Sequence, residues 1–140
     1  MTPGSYHIIE HPADTGFEVQ GATKEEVFVS AARAFFSLIW HIKTQQNNEP
    51  ETIEVSGNDL EELMVNFLEE FLYLYEAKGL VCTTIEVETV TRNKVRARAW
   101  LQPFNRDNDE ELLGVKAVTY HQLFLGKTGD MWTARIFLDI

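Results

Sequence analysis

The chain has 140 residues, 44% hydrophobic and 24% charged, which fits a single globular domain over residues 1–140. Its 22 acidic residues outnumber 12 basic ones and give a formal net charge of −10, so strong direct nucleic-acid binding is not expected. Cys82 is the only cysteine, which excludes an intramolecular disulfide and a cysteine-rich zinc site and favours a cytoplasmic location. The sequence lacks an apolar run of the roughly 18 residues that span a bilayer, so we expect no membrane partner.

Two short strands are predicted near the N-terminus, over residues 5–10 and 16–20. The segment between them, His11-Pro-Ala-Asp14-Thr, is typical of a tight connection, and the simplest role for Asp14 is to cap its own turn. The alternative is that its carboxylate binds a ligand.

Two helices are predicted next. The first follows Thr23, which forms a capping box with Glu26, and its apolar residues recur at spacings of three and four. The second is predicted to begin near Asn58, with Glu61 three residues on, and to end before Gly79. Its apolar face is unusually wide and rich in aromatic residues, which predicts packing in the core.

The remaining segments predict strands that follow one another through short connections, which implies antiparallel pairing. Their predicted ranges are 51–55, 81–90, 95–101, 113–125 and 131–139, and a polar surface loop over residues 43–50 precedes the first. This order predicts an α+β domain, with mostly antiparallel sheet and two packed helices. The basic residues on one strand are predicted to line a solvated sheet face; they are Arg92, Lys94, Arg96 and Arg98.

The last strand ends with two oxygen ligand groups in adjacent residues. Alternation places Asp139 on the less apolar face, and the α-carboxylate of Ile140 lies beside it. Joined by Asp14, these groups would suit Ca²⁺ or Mg²⁺. The alternative is a frayed terminus with a solvated carboxylate. Sequence spacing alone does not bring Asp14 to Asp139.

The predicted strand over 113–125 carries two further candidates. Alternation places Lys116 on the face of Val118 and Tyr120, and His121 on the other face, so the two are not expected to act side by side. His121 fits a hydrogen-bonded core or boundary histidine better than a metal ligand. His11 lies on a strand, and the sequence contains no helical zinc pair, nucleophile elbow, phosphate loop or dinucleotide motif.

Four separated segments, in order along the chain, resemble the archease family. They are His11-Pro-Ala-Asp14-Thr-Gly-Phe-Glu18, the helical segment over residues 63–73, Val115-Lys-Ala-Val-Thr-Tyr-His121, and the final segment over residues 132–140. The third segment combined with a terminal Phe-Leu-Asp-Ile is the most specific part of the match. Thr15 departs from the aliphatic residue often found there.

The resemblance implies a non-enzymatic activator of the GTP-dependent RNA-splicing ligase, which joins 3′-phosphate or 2′,3′-cyclic-phosphate RNA ends to 5′-hydroxyl ends. It implies faster guanylylation of that ligase and repeated turnover. It also implies a divalent cation, Ca²⁺ or Mg²⁺/Mn²⁺, bound by Asp14, Asp139 and the terminal carboxylate of Ile140, and a role in activation for Lys116. His121 and His11 are secondary candidates for the same site.

Two other function classes remain open from the residues. One is a small metal-dependent phosphoester hydrolase that uses Asp14, Asp139 and His121 around the cation. The other is a chaperone-like protein that binds exposed apolar segments through the wide helical face. The sequence lacks a dense catalytic cluster, which favours the accessory role, and its acidic surface is compatible with a monomer or a small homo-oligomer.

Overall fold

The computed structural model describes residues 5–11 and 14–140, apart from the side chains of Glu10 and His11. The α+β class with mostly antiparallel sheet and two packed helices is confirmed. In chain order the elements of the described part are β1 (Tyr6–His11), β2 (Asp14–Gly21), α1 (Lys24–Ile39), β3 (Trp40–His41), β4 (Glu51–Ser56), α2 (Leu60–Lys78), β5 (Leu80–Val90), β6 (Lys94–Pro103), β7 (Glu110–Glu111), β8 (Ala117–Thr128) and β9 (Met131–Asp139).

The strands form two large sheets and one small pair. A four-stranded sheet has the order β1-β2-β9-β8, a three-stranded sheet has the order β4-β6-β5, and β3 pairs with β7. Every pairing in the described part is antiparallel. The four-stranded sheet joins the two ends of the chain, because β2 from the N-terminal part pairs with β9 from the C-terminal part.

The start of α1 confirms the predicted capping box with one change. The Thr23 hydroxyl accepts a hydrogen bond from the Glu26 backbone N–H at 3.1 Å. The Glu26 carboxylate accepts from the backbone N–H of Ala22, at 2.6 Å, rather than from that of Thr23. Two N–H groups at the helix start are therefore satisfied by side chains.

The helix α2 begins one residue later than the sequence predicted. Asp59 is its N-cap and accepts from the Glu62 N–H at 2.8 Å, so the Asn58 and Glu61 assignment is wrong by one position. The predicted stop is confirmed, because Gly79 adopts φ 66° and caps the helix end in the left-handed conformation. Both ends of α2 are thus fixed by local hydrogen bonds.

Both helices contact both large sheets, and the core lies between them. The predicted core role of the aromatic stripe is confirmed, because its largest rings have no solvent exposure. From β2 and β9, Phe17, Ala134 and Ile136 face the helices and are fully buried. The largest fully buried rings of the helices are Phe28, Phe35, Phe67 and Phe71.

The outer face of the three-stranded sheet carries the basic residues of β6. Lys94 pairs with Glu54 at 3.5 Å, Arg98 pairs with Glu86 at 3.4 Å, and Arg96 also pairs with Glu54. The predicted solvated sheet face is therefore confirmed for Lys94, Arg96 and Arg98, with acidic partners on the neighbouring strands, whereas Arg92 lies in the turn between β5 and β6.

Two features of the strands differ from the sequence prediction. The two-residue strands β3 and β7 were missed, because they are too short to show a period of two. Strand β8 spans Ala117–Thr128 rather than residues 113–125. In the described part, no helix is long and apolar enough to cross a membrane. The cytoplasmic location stays a prediction.

A substitution at Gly16 in β2 tests how closely β2 and β9 pack together. A Cβ atom at Gly16 would lie 2.6 Å from the Ile136 carbonyl oxygen and 2.7 Å from the Phe137 ring. We expect Gly16→Ala to lower the free energy of unfolding by about 1–3 kcal/mol, because β9 must shift to admit the methyl group. Urea denaturation measures this change.

Gly114→Ala is the matched control, since a Cβ atom there would meet no atom within 4 Å. It should change the free energy of unfolding by less than about 0.5 kcal/mol. Equal effects of the two substitutions would contradict the close packing of Phe137 on β2.

Candidate functional site

The pairing of β2 with β9 places Asp14 directly opposite Asp139. Residues directly opposite in an antiparallel pair have Cβ atoms about 4.5–5.5 Å apart and side chains on the same face. Asp139 is exposed and Asp14 is half-buried, so both carboxylates are open to solvent. The sheet thus brings together two predicted ligands that lie 125 residues apart, from position 14 to position 139.

The neighbouring strand brings Lys116 to the same place. Ala117 lies opposite Asp139 across β8 and β9, and the Lys116 backbone N–H donates to the Asp139 carbonyl at 2.7 Å. Ile140 follows directly and is 40% exposed. The backbones of all four predicted residues therefore meet at one end of the four-stranded sheet.

The side chains at this end are not neutralised within the described part of the chain. There, neither Asp14 nor Asp139 has a cation within ion-pair distance, and the Lys116 side chain is exposed. Like charges directly opposite each other in a sheet destabilise it, and a bound cation removes that repulsion. The pair is therefore a site of unbalanced negative charge.

The donor set fits a hard divalent cation. Its groups are carboxylates, the ligands that Ca²⁺ and Mg²⁺ prefer. The residues that the structure describes contain no cluster of three His, Cys, Asp or Glu side chains, so a third ligand must come from elsewhere. The terminal carboxylate of Ile140 would supply it. His11 is the other candidate; its backbone lies opposite Asp14, and its side chain lies outside the described part.

His121 does not occupy the core or boundary position predicted for it. Between Thr119, which pairs with Phe137, and Phe124, the register of β8 on β9 breaks. Four residues of β8, 120–123, lie opposite the single residue Ile136, so regular alternation fails there. The imidazole of His121 is exposed, and its ring centroid lies 6.0 Å from that of Phe137. Tyr120 and His121 still lie on opposite faces, as predicted: the carboxylates around Tyr120 belong to α2 on the inner side, whereas His121 packs on Phe137 of the outer face.

The irregular segment of β8, residues 120–123, lies beside the acidic half of α2. Gln122 has φ 51°, a left-handed conformation uncommon for a residue other than glycine. Tyr120 is 58% exposed. Partial burial raises the pKa of its phenol, and the carboxylates of Glu62, Asp59 and Glu69 raise it further. Bulges of this kind are frequent beside functional sites, which agrees with its place near the carboxylate pair.

Glu69 is a positioning residue that the sequence analysis missed. Its carboxylate accepts a hydrogen bond from the Val118 backbone N–H at 2.8 Å. This bond connects α2 to the start of β8, two residues after Lys116. Glu69 lies on the side of α2 away from the predicted apolar stripe, so the apolar periodicity carried no signal that this acidic residue would be partly buried. Such a residue needs a partner when it is partly buried.

The model of the Archease protein family (MTH1598/TM1083) matches residues 6–140. The protein archease of Pyrococcus abyssi is 36% identical over 135 residues, which cover 94% of this chain and 95% of that protein. The chain belongs to the archease family. That membership confirms the expectation of an accessory protein rather than an enzyme.

Two solved structures share the fold of this archease-family chain. The solution structure of Methanobacterium thermoautotrophicum protein 1598 is 22% identical, covers 98% of this chain and 99% of its own, and superposes with a TM-score of 0.79. A crystal structure described as an archease, possible chaperone, from Thermotoga maritima is 22% identical, with 94% of each chain covered and a TM-score of 0.63.

The carboxylate pair predicts opposite effects of one substitution with and without a cation. Asp139→Asn removes the repulsion with Asp14, so we expect it to raise the free energy of unfolding of the metal-free protein by about 0.2–1 kcal/mol. The same variant should lose the stabilisation that Ca²⁺ gives the unsubstituted protein, because a ligand of the folded state is gone. Thermal unfolding with Ca²⁺ and with a chelator measures both effects.

Asp107→Asn is the control, because Asp107 is an exposed loop carboxylate away from this sheet. It should leave the Ca²⁺-dependent rise in Tm unchanged. A rise in Tm that persists in Asp139→Asn would show that the cation binds elsewhere.

Proposed function

We propose that this archease-family protein activates a GTP-dependent RNA-splicing ligase with the help of a bound divalent cation. The protein accelerates guanylylation of the ligase and allows it to turn over repeatedly. The main support is the cross-strand pair of Asp14 and Asp139, with Lys116 hydrogen-bonded at the same row of the sheet. Family membership supplies the accessory role, and the carboxylate pair supplies a place for the cation.

In this proposal the chain's own residues hold charge in position. Asp14, Asp139 and the terminal carboxylate of Ile140 hold Ca²⁺, Mg²⁺ or Mn²⁺. A divalent cation offsets the negative charge of nucleotide phosphates. The backbone hydrogen bond from Lys116 to Asp139 fixes where that lysine leaves the sheet, and its exposed ammonium is free to meet a phosphate or an acidic group of the ligase.

The charge of the chain favours a protein partner over RNA. With a net charge of −10, its surface repels a phosphate backbone. The arginines of β6 are already occupied, since Arg96 pairs with Glu54 and Glu88, and Arg98 pairs with Glu86. An acidic surface is complementary to the basic channel that a ligase needs for RNA, which would speed the encounter of the two proteins. The chain thus acts on RNA through the ligase.

The chaperone alternative has less support in the structure. It rests on the wide apolar face of α2, which would have to be open to client proteins. Phe67 and Phe71 on that face are buried between the sheets. The face is therefore occupied by the chain's own core.

The hydrolase alternative needs a base or nucleophile beside the carboxylates. His121 lies in the irregular segment of β8, and its ring packs edge-on against Phe137 of β9. Cys82 is buried, and that burial raises the pKa of its thiol to about 12, so the thiol stays protonated at neutral pH. The buried thiol therefore offers no reactive nucleophile.

The test is the rate of guanylate transfer from GTP to the cognate ligase at limiting metal, with and without this protein. We expect a clear acceleration and repeated turnover. We expect the maximal acceleration to fall about tenfold or more in each of three variants, Asp14→Asn, Asp139→Asn and Lys116→Ala. Each of them removes a charge from the end of the four-stranded sheet where the cation is proposed to bind. Asp107→Asn should activate like the unsubstituted protein.

Fusion of extra residues after Ile140 tests the terminal carboxylate separately. The fused protein should bind metal more weakly and activate less. No acceleration by a folded, metal-loaded protein would reject the proposal. Suppression of aggregation of unrelated proteins would then support the chaperone alternative, and partner-free hydrolysis of phosphoesters would support the hydrolase.

A further inference from the structure

A pocket lies on the same outer face of the four-stranded sheet as the carboxylate pair. It encloses about 270 Å³ and is lined by Glu18, Gln20, Phe124, Thr128, Thr133 and Arg135. Arg135 and Asp139 are four residues apart on β9 and share a face, which places the pocket about 13 Å from the carboxylate pair along the strand. Both helices pack on the opposite, inner face. One partner surface can therefore reach both places.

The floor of this pocket holds an unsatisfied polar group. Thr133 is 7% exposed, and its hydroxyl has no hydrogen-bond partner among the described residues. A buried hydroxyl without a partner is costly, so structures normally satisfy it. The packing of the described residues leaves this hydroxyl without a partner. A bound partner would supply the missing hydrogen bond.

The aromatic ring of Phe124 borders the same pocket as this hydroxyl. Gly126 lies directly opposite Thr133, and the Phe124 ring lies over Gly126, at 3.3 Å from where a Cβ atom would be. Phe124 is 39% exposed, so part of its ring is accessible to a partner. A partner that displaces or covers the ring would gain apolar contact and reach the hydroxyl.

The polar groups of the pocket favour a ligand that accepts hydrogen bonds. Arg135 donates through Nε to the Glu18 carboxylate at 3.3 Å, which leaves the terminal nitrogens of its guanidinium as donors. The Thr133 hydroxyl and the Gln20 amide add further donors. Glu18 engages only Nε of Arg135, so the terminal guanidinium N–H groups and the Thr133 hydroxyl are donors that an accepting ligand can meet.

We propose that this pocket is a docking site for the ligase, and that it receives a ligase side chain ending in a carboxylate or carboxamide oxygen. The proposal rests on the proposed function, because the ligase is its occupant. The pocket gives affinity, whereas the carboxylate pair gives activation. The two sites therefore affect different parameters of the same titration.

The experiment titrates the protein into the guanylylation assay and measures the half-saturating concentration and the maximal acceleration separately. Arg135→Ala should raise the half-saturating concentration about tenfold, and Thr133→Val about fivefold, with the maximum unchanged. Thr133→Val should keep or raise the Tm, because it removes an unpaired buried hydroxyl without a change of shape. A rise in half-saturating concentration is then not a result of unfolding.

Arg98→Ala is the matched control, because Arg98 also pairs with a glutamate on a neighbouring strand, but on the other sheet. It should leave both parameters unchanged. Unchanged half-saturation in Arg135→Ala and Thr133→Val, or an equal shift in Arg98→Ala, would overturn the docking pocket while acceleration by the unsubstituted protein still stands. No acceleration by the unsubstituted protein would overturn the proposed function and the docking pocket together.

Discussion

The pairing of β2 with β9 is the constraint on which the rest of this structure depends. It joins the two ends of the chain in one sheet and aligns Asp14 with Asp139. It also closes the core, because the inner faces of both strands pack on the helices. A slip of β2 by one residue against β9 would turn Asp14 to the helical side, where burial of a charge is costly, and would separate it from Asp139. Fold and site are therefore fixed by the same hydrogen-bonded ladder.

The local signals in the sequence predicted the elements well. Caps and apolar periodicity placed both helices, and the strand predicted over 131–139 matches β9, Met131–Asp139. The contact of Asp14 with Asp139 was beyond such reasoning, because tertiary packing decides which strands pair. The resemblance to the archease family named those residues together, and the register now places them together. The burial of His121 was predicted wrongly, because its small and apolar sequence neighbours suggested a packed strand, whereas the register of β8 breaks there and the imidazole is exposed.

Three features follow one another along β9 on the outer face of the four-stranded sheet. The carboxylate pair lies at the end of β9, the fully buried Phe137 comes next, and the pocket around Arg135 follows. Phe137 packs so closely on β2 that only glycine fits at position 16. A rigid sheet face holds these groups at fixed spacing, whereas a loop would not. That spacing suits a protein partner that contacts several points at once.

The most direct test of the account is an NMR titration of the protein with substoichiometric Mn²⁺, whose unpaired electrons broaden signals of nearby nuclei. We expect selective loss of the backbone amide signals of Asp14, Lys116 and Asp139, and their recovery when excess Ca²⁺ or Mg²⁺ competes for the site. Broadening centred instead on Glu54 and its neighbours on the three-stranded sheet, or equal broadening along the chain, would contradict a cation held by the β2–β9 carboxylate pair.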